Sequence, residues 1–357
     1  MNQERYNRQI ILPGFGPEAQ ERLSRSKVLV VGAGGLGVPV LTYLNAMGVG
    51  ILGIVDSDTV SLSNLHRQVL YSEKDIGRPK VDVALERLKV QNSDTELVGH
   101  NTFLTKENAL TIIAEYDVVV DASDNFPTRY LVNDACVVMN RPFVYGALHG
   151  FEGQVSVFNH EGGPTYRCLF PTMPKSDEVP DCNQNGVLGI LPGIIGNLQA
   201  LETVKVLTGV GESLSGKLLL FDSLTNSFQK ISFPAKPENL QISALQSDYD
   251  LDCELRTKTM NVDTFLRSIE NDTPQLIDVR TPKEFNRNNL RIAKNIPLSQ
   301  LESRQEEIDF EVPVYLVCQS GARSKKAIGK LLVLRPDAQL INIDGGMNQI
   351  RLHGVTA

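Results

Sequence analysis

The sequence predicts an α/β protein with two domains, a doubly wound sheet followed by a smaller α/β domain. Three observations predict this fold class. Short apolar runs alternate with segments of helical spacing through the first two thirds of the chain, and a glycine-rich turn follows the first run. A second alternating block begins after a turn-rich stretch. The length of 357 residues fits two domains of ordinary size.

The first domain is expected to span residues 1–245, with a parallel sheet covered by helices on both faces. Its strands are indicated by short apolar runs that end at turn residues. The predicted elements, in chain order, are a strand at 27–31, a helix at 36–47, strands at 51–55 and 117–121, a helix at 127–138, and strands at 154–158, 217–221 and 228–232.

A polar, turn-rich stretch from 233 to 258 separates the two blocks, and we place the linker itself at 246–258. The second domain then covers 259–357, which is long enough to bury a core of its own. Its predicted elements are a helix at 262–269, strands at 275–279 and 313–317, and a helix at 322–332.

Composition excludes several classes of protein. The chain is 41% hydrophobic and 22% charged, as is ordinary for a globular protein. Its 35 basic and 42 acidic residues give a net charge of −7, which argues against a general nucleic-acid binder. The polar N-terminus lacks the apolar core of a signal peptide, and the most apolar stretch, 186–201, is interrupted by Pro192. We therefore expect a soluble cytoplasmic protein that binds neither membranes nor nucleic acid.

The cysteines are too few and too scattered for a disulfide framework. Five stand singly, at 136, 168, 182, 253 and 318, which favours reduced thiols. Cys136 lies in an apolar run and is expected in the core.

A glycine-rich turn indicates a nucleotide site. Gly32, Gly34, Gly35 and Gly37 follow the first predicted strand and open the first helix, where backbone amides can approach a phosphate. Asp56 closes the second strand, where an acid would bind ribose hydroxyls. The glycine pattern alone also permits a dehydrogenase that uses NAD, or a tight structural turn.

The residues after the second strand favour a triphosphate. Arg67 and Lys80 could neutralise its charge, whereas a dinucleotide needs no cation here. Asp124 and Asn125 follow a later strand at the same edge, and Asp124 could hold Mg²⁺ together with phosphate oxygens. The alternative is a solvated surface pair of Arg67 and Asp124. The candidate nucleotide-binding side chains of this region are Asp56, Asp58, Ser63, Asn64, Leu65, His66, Arg67, Gln68, Lys80, Asp124 and Asn125.

Five ordered motifs resemble the MoeB/ThiF family over about residues 1–245. They are the runs at 5–12, 34–37, 56–68, 77–80 and 121–125. The resemblance implies a Rossmann-like adenylyltransferase, related to ubiquitin-activating enzymes, that uses ATP and Mg²⁺ to activate the C-terminal glycine of a small ubiquitin-like sulfur carrier of the MoaD or ThiS type.

The same resemblance implies roles for single residues. Gly35 would pack against the nucleotide, and Asp56 would take the ribose. Asn64, Arg67 and Lys80 would contact the phosphates, and Asp124 would help to hold magnesium. Arg8 resembles an arginine that reaches into the site of the neighbouring subunit, which implies a homodimer.

Two cysteines of the first domain are judged against this family. Where members commonly carry a zinc-binding C-x-x-C, this chain has Thr165 and Cys168, and it contains no C-x-x-C at all, so we expect no zinc. Cys182 lies in a proline-rich loop and matches a family cysteine that joins covalently to the carrier or to a sulfur donor in some members. An inert exposed thiol is the alternative for Cys182.

The second domain contains a candidate nucleophile. Cys318 follows a predicted strand, and its loop, with Gly321, Arg323 and Ser324, leads into a helix. Backbone amides of such a loop converge on one point, and with Arg323 they favour a thiolate or a persulfide anion. The segment resembles the C-x-x-G-x-R-S signature of the rhodanese family, with the four residues between Cys318 and Arg323 favouring sulfur over phosphate.

Other matches extend this second resemblance over about residues 259–357. Asp278, Arg280 and Glu284 match acids and an arginine expected to form ion pairs, and Gly345 with Gly346 matches a late double glycine. The expectation is a fused enzyme in which a Cys318 persulfide supplies sulfur to an adenylated carrier, leaving a thiocarboxylate. Molybdopterin or thiamine biosynthesis and a cysteine desulfurase donor fit this expectation. A non-catalytic scaffold that binds a ubiquitin-like protein is the remaining rival.

Overall fold

The computed structural model describes residues 3–174, 186–247, 249, 258–271, 274–335 and 337–352. The chain divides into two compact units, Met1–Tyr249 and Asp250–Ala357. The described helices and strands of the first unit are α1 (Gln3–Ile10), α2 (Gly16–Arg25), β1 (Lys27–Val31), α3 (Gly37–Ala46), β2 (Ile51–Val55), α4 (Lys80–Gln91), β3 (Glu96–His100), α5 (Ala109–Ala114), β4 (Val118–Asp121), α6 (Phe126–Val138), β5 (Phe143–His149), β6 (Glu152–Phe158), α7 (Tyr166–Leu169), α8 (Leu191–Thr208), β7 (Lys217–Asp222) and β8 (Ser227–Ser232).

The sheet of the first unit is mixed, which corrects the expectation of an all-parallel sheet. Its eight strands have the order β3-β2-β1-β4-β5-β6-β7-β8. The pairs from β3 to β5 are parallel, whereas those from β5 to β8 are antiparallel. The β5–β6 and β7–β8 connections are too short for a crossover helix, so these strands pair as hairpins.

Parallel pairing brings three strand ends together at one edge. Val31 of β1 lies opposite Val55 of β2 on one side and Asp121 of β4 on the other. The central strands are fully covered, with Val28, Leu29 and Val30 completely buried. The loops that follow β1, β2 and β4 therefore emerge side by side, where ligands bind in open α/β sheets.

The second unit is a smaller parallel sheet with its own helices. Its described elements are β9 (Lys258–Met260), α9 (Val262–Asn271), β10 (Gln275–Asp278), α10 (Pro282–Arg287), β11 (Ala293–Asn295), β12 (Val314–Val317), α11 (Ala322–Leu334), β13 (Leu340–Ile343) and α12 (Gly346–Leu352). The strand order is β11-β10-β12-β13-β9, and each of these neighbouring pairs is parallel.

The end of the first unit is anchored by an aromatic side chain. Tyr249 is buried, and its hydroxyl donates to Asp134 Oδ2 at 2.7 Å. The same carboxylate forms an ion pair with Arg167. Tyr249 thus packs into the first unit, whereas most of the remaining linker prediction, residues 250–257, lies outside the described part of the chain. Within the part that is described, no helix is both long and apolar enough to cross a membrane.

Candidate active sites

The glycine turn after β1 is held from two sides. Gly32 has φ +102°, and a side chain there would collide with the carbonyl of Ala122 after β4. The amide of Ala33 donates to Asp56 Oδ2 at 2.7 Å, and the hydroxyl of Tyr71 donates to the Ala33 carbonyl at 2.8 Å. These contacts fix the turn in place before any nucleotide binds, with α3 starting immediately behind it.

Asp56 organises the loop after β2. Its Oδ1 accepts the amide of Asp58 at 2.8 Å, and Lys80 Nζ lies 3.9 Å from that oxygen. Lys80 is buried and bonds to Asp58 Oδ2 at 2.8 Å. Burial raises the pKa of Asp56, and the Lys80 ammonium opposes that rise. Lys80 therefore lies at the edge of the sheet where the nucleotide is predicted to bind, and its ammonium pairs with the carboxylates of Asp58 and Asp56.

Arg67 lies beside the glycine turn. Its Nη2 donates to Asn64 Oδ1 at 2.7 Å, and its Nη1 donates to the Ser63 carbonyl at 3.2 Å. Gly35 packs next to Pro192 of α8 and the stem of Arg67. Burial lowers the pKa of Arg67, and the Asp124 carboxylate opposes that shift.

The other candidate residues of this segment differ in burial and in their contacts. His66 Nδ1 lies 3.0 Å from the Ser63 carbonyl, and Leu65 packs against the core. Gln68 is buried near Gly34, and its Oε1 has no hydrogen-bond partner among the described residues. The buried Oε1 of Gln68 can therefore accept a further hydrogen bond.

Asp124 is presented by a turn built on a different acid. Asp121 is fully buried and accepts both the amide and the hydroxyl of Ser123, at 3.0 and 2.6 Å. Asp124 is exposed at the tip. Asn125 caps α6 by accepting the amide of Thr128 at 2.9 Å, so its side-chain oxygen serves the helix. Sequence reasoning missed the part played by Asp121, although its place as the last residue of a buried strand was a signal.

The first helix presents Arg8 outward. Arg5 donates to the Gln91 carbonyl at 3.1 Å, Tyr6 donates to Asp94 at 3.3 Å, and Gln9 donates to the Met47 carbonyl at 3.1 Å. These residues attach α1 to the body of the unit, whereas Arg8 is exposed. Arg5, Tyr6 and Gln9 of this N-terminal motif therefore anchor the helix that carries Arg8.

The sulfur of Cys168 accepts hydrogen bonds from backbone amides. These are the amides of Thr165 at 3.4 Å and Lys236 at 3.2 Å. Thr165 Oγ1 is 3.5 Å from the same sulfur. One thiol with a hydroxyl and backbone groups does not supply the four nitrogen or sulfur ligands of a structural zinc. Among the described residues, no group of three or more His, Cys, Asp or Glu side chains could hold a metal ion.

The remaining cysteines of the first unit differ in what can be said of them. Cys136 is fully buried, and burial raises the pKa of its thiol well above the ordinary value. Cys182, the candidate covalent residue, lies outside the described residues, as does Cys253.

The second site is centred on Cys318, whose side chain is fully buried. The Gly321 amide donates to Cys318 Sγ at 3.1 Å, and Ser324 Oγ lies 3.4 Å from it. Gly321 has φ +93°, which turns the loop into α11. The predicted loop residues Cys318, Gly321 and Ser324 are thus brought together around one sulfur.

The double glycine lets α12 approach this loop closely. The amides of Met347 and Asn348 donate to the carbonyls of Cys318 and Gln319, at 2.8 and 3.0 Å. A side chain at Gly346 would collide with the Cys318 carbonyl. The Cys318 and Gln319 carbonyls are thus bound by α12, while the Gly321 amide of the same loop donates to the sulfur.

Ion pairs surround the loop. Arg323 donates from both terminal nitrogens to Glu284, at 2.8 and 2.6 Å, which lowers the pKa of Glu284 to about 2. Arg280 and Asp278 form a buried pair at 2.6 Å, and Arg280 also donates to Gln319 Oε1 at 3.3 Å. The sequence suggested that the Arg323 guanidinium stabilises the Cys318 sulfur. In the structure its two terminal nitrogens bind Glu284 instead, and so join α11 to α10.

Asn342 is a neighbour of this loop that sequence reasoning missed. It lies on β13 and is fully buried, with its Oδ1 2.6 Å from Ser324 Oγ. The available signal was a polar residue inside the apolar strand Leu340–Ile343.

Comparison with known proteins identifies the family of each unit. A ThiF family model matches residues 6–242, and a model of the rhodanese-like domain matches residues 261–353. A Thermus thermophilus protein named "Sulfur carrier protein adenylyltransferase" is 55% identical over 239 residues, which cover 66% of this chain and 88% of that protein. A Culex quinquefasciatus protein named "Adenylyltransferase and sulfurtransferase MOCS3" is 42% identical over 360 residues, covering 92% of this chain and 82% of that protein.

The fold of the first unit also has counterparts among solved structures. A crystal structure of Escherichia coli MccB with succinimide aligns with a TM-score of 0.60 at 22% identity, covering 69% of this chain and 75% of that one. Together these matches confirm the predicted α/β fold class and both predicted family resemblances.

Proposed function

Since this chain belongs to the ThiF family and carries a C-terminal rhodanese-like domain, it is an adenylyltransferase with a sulfurtransferase domain, and we propose that its substrate is a ubiquitin-like sulfur carrier. The first unit would adenylylate the C-terminal glycine of the carrier. The second would supply sulfur from a persulfide on Cys318, converting the terminal carboxylate into a thiocarboxylate. The observation that carries the proposal is that a phosphate-type glycine turn and a sulfur-binding loop occur in one chain.

ATP would bind at the edge formed by the loops after β1, β2 and β4. The glycine turn offers backbone amides to the phosphates, and Asp56 retains lone pairs for the ribose hydroxyls beside its two amide contacts. Asn64 and Arg67 would contact the phosphates. Lys80 would do so by sharing its ammonium between phosphate and Asp58.

The adenylylation step needs charge stabilisation more than proton transfer. The carrier carboxylate is ionised at neutral pH and attacks the α-phosphorus, and pyrophosphate leaves. Fixed cations at the phosphates stabilise the developing charge, which is the role proposed for Arg67, Lys80 and the partner-facing Arg8. Arg8 is exposed on α1, as a residue that reaches a second copy must be, and a homodimer is part of the proposal.

Magnesium fits this edge of the sheet. Asp124 presents an exposed carboxylate, the oxygen ligand that Mg²⁺ prefers, on a turn fixed by Asp121. A bound Mg²⁺ would supply charge neutralisation at the phosphates. We propose no structural zinc, because the sequence contains no C-x-x-C and, among the described residues, Cys168 has no second thiol beside it.

Sulfur transfer would follow in two balanced steps. The terminal sulfur of the Cys318 persulfide attacks the acyl-adenylate carbon and expels AMP, leaving the carrier joined to Cys318 through an acyl disulfide. A thiol then attacks Cys318 Sγ, releasing the thiocarboxylate and forming a new disulfide on that thiol. Cys182 is the proposed attacking thiol, or the site of a thioester, and a cellular thiol would reduce the resulting disulfide.

The wider setting remains part of the proposal. A cysteine desulfurase would load Cys318, and the thiocarboxylate would enter molybdopterin or thiamine biosynthesis in the cytoplasm. The names of the curated relatives favour an adenylyltransferase with sulfur transfer over a dehydrogenase that uses NAD. A scaffold without catalysis would bind the carrier but show no pyrophosphate exchange.

The two activities can be separated by single substitutions. Cys318→Ala should abolish transfer of sulfur from thiosulfate to cyanide and leave carrier-dependent ATP–pyrophosphate exchange unchanged. Asp124→Ala should do the reverse, lowering exchange by about 100-fold or more if it holds a catalytic cation. Sulfur transfer that survives in Cys318→Ala would refute the assignment of Cys318, and normal exchange in Asp124→Ala would refute that of Asp124.

A further inference from the structure

Asn342 holds an unused hydrogen-bond donor next to the sulfur loop. Both Asn342 and Ser324 are fully buried, and Ser324 Oγ lies 2.6 Å from Asn342 Oδ1 and 3.4 Å from Cys318 Sγ. The Nδ2 of Asn342 has no hydrogen-bond partner among the described residues. A buried amide nitrogen without a partner is costly, so its retention at this point needs a reason.

The number of protons that Ser324 can donate explains why this nitrogen is left without a partner. The Ser324 hydroxyl has one proton to donate, yet three acceptors surround it: Asn342 Oδ1, Cys318 Sγ and the Gly321 carbonyl. While it donates to Asn342, it cannot donate to the sulfur. A half-turn of the Asn342 amide exchanges Oδ1 and Nδ2 in nearly the same place, so that Nδ2 faces Ser324 Oγ and the hydroxyl is released.

We propose that Asn342 is a positioning residue that acts through Ser324 to stabilise the anionic sulfur of Cys318. When the sulfur is a neutral thiol, Ser324 donates to Asn342 Oδ1. When it is a thiolate or a persulfide anion, Ser324 donates to the sulfur, and the turned amide donates from Nδ2 to Ser324 Oγ. The unpaired nitrogen is thus the reserve donor of the anionic state.

The surrounding geometry favours this relay. The Gly321 amide already donates to Sγ at 3.1 Å, so a hydroxyl donor would add a second bond to the charge. The inference rests on the proposed role of Cys318. Charged groups on the elements around the loop include Arg323, Lys325 and Lys326 of α11, Glu284 of α10, Asp278 of β10, Arg280 after β10, Asp344 after β13 and Arg351 of α12. None of them is altered in the test.

The test measures the pH–rate profile of Cys318 alkylation by iodoacetamide in the full-length protein, read by mass spectrometry of the peptide that contains Cys318. Asn342→Leu keeps the size of the side chain and removes the donor. We expect alkylation at pH 7 to slow by roughly tenfold and the profile to move to higher pH. Ser324→Ala should have the same effect, and the double variant should add little to either change.

A matched control separates this role from packing. Asn295 on β11 donates to the carbonyls of Asp278 and Arg280, so Asn295→Leu should lower stability and leave the profile in place. A profile in Asn342→Leu that matches wild type overturns the relay. If that variant does not fold, the wild-type protein decides: the side-chain amide resonance of Asn342 must shift with the ionisation of Cys318, and a constant resonance overturns the inference.

These outcomes are distinct from failure of the proposed function. If Cys318 were not the residue that holds the persulfide, Cys318→Ser would retain thiosulfate:cyanide sulfur transfer, whatever the alkylation profile shows. Loss of transfer in Cys318→Ser together with an unmoved profile in Asn342→Leu would leave the function standing and remove only the relay.

Discussion

Glu284 shows how a single side chain can stabilise the sulfur loop from outside. Its carboxylate binds both terminal nitrogens of Arg323, and its pKa falls from 4.5 to about 2. A depressed pKa contributes stability that is complete above pH 4.5 and is lost as the pH falls toward 2. Glu284→Gln should therefore lower the free energy of unfolding at pH 7 by about 1 kcal/mol, a figure reduced for its partial exposure.

The measurement is urea unfolding of wild type and Glu284→Gln at pH 7, 5 and 4. The difference between them should shrink below pH 4.5, where the wild-type carboxylate begins to lose its advantage. Glu302→Gln is a matched control, since Glu302 pairs with Lys330 on an exposed surface and should contribute little. A gap that stays constant down to pH 4 would contradict this account of Glu284.

Residues that share one loop were predictable from sequence, and residues that meet through pairing of distant segments were not. Cys318, Gly321 and Ser324 lie within a single turn, so their spacing alone indicates a common centre. Asn342 reaches Ser324 of this loop only because β13 pairs with β12, which no local pattern specifies. Asp121 likewise acts through the turn that carries Asp124, and its support became visible only with side-chain contacts.

At the level of elements, each predicted strand has a counterpart, from the apolar β1, β2 and β4 to the exposed β8. Other strands escaped prediction, including β9 and β11 of three residues each and the apolar β5 and β13. The sheet was expected to be parallel, whereas the pairs from β5 to β8 are antiparallel, because a local apolar run carries no information on strand direction. Short connections explain the β5–β6 and β7–β8 hairpins, whereas β6 and β7 pair across a long connection that contains α7 and α8.

The contact between α7 and the segment after β8 gives a testable alternative to zinc. Cys168 on α7 accepts the Lys236 amide across 68 positions of sequence, so one sulfur joins two distant pieces of chain. Cys168→Ala should leave the buried amides of Thr165 and Lys236 without an acceptor and cost about 1–2 kcal/mol of unfolding free energy. Since the chain contains no Trp, circular dichroism in urea is the suitable measurement.

Cys168→Ser keeps an acceptor at this position and should recover part of the loss. Metal analysis of the purified wild-type protein should show zinc well below one atom per chain. Stoichiometric zinc that disappears in Cys168→Ala would contradict the hydrogen-bonded arrangement and restore a metal to this place.

At the scale of the whole molecule, each unit buries a hydrophobic core of its own. Leu44 on α3 is fully buried in the core of the first unit, and Leu331 on α11 is fully buried in a core of the second. Removing a buried leucine side chain costs about 2–5 kcal/mol, which is a large share of the stability of a single domain. The two activities should therefore respond to different core substitutions.

Leu331→Ala should lower thiosulfate:cyanide sulfur transfer on warming at temperatures where carrier-dependent pyrophosphate exchange persists, and Leu44→Ala should show the opposite order. The physical reason is that each substitution leaves a cavity in one core and leaves the packing of the other unchanged. Both variants are measured as full chains, by residual activity after incubation at a series of temperatures. Parallel loss of both activities in either variant would contradict this prediction, because it would show that the two cores unfold together.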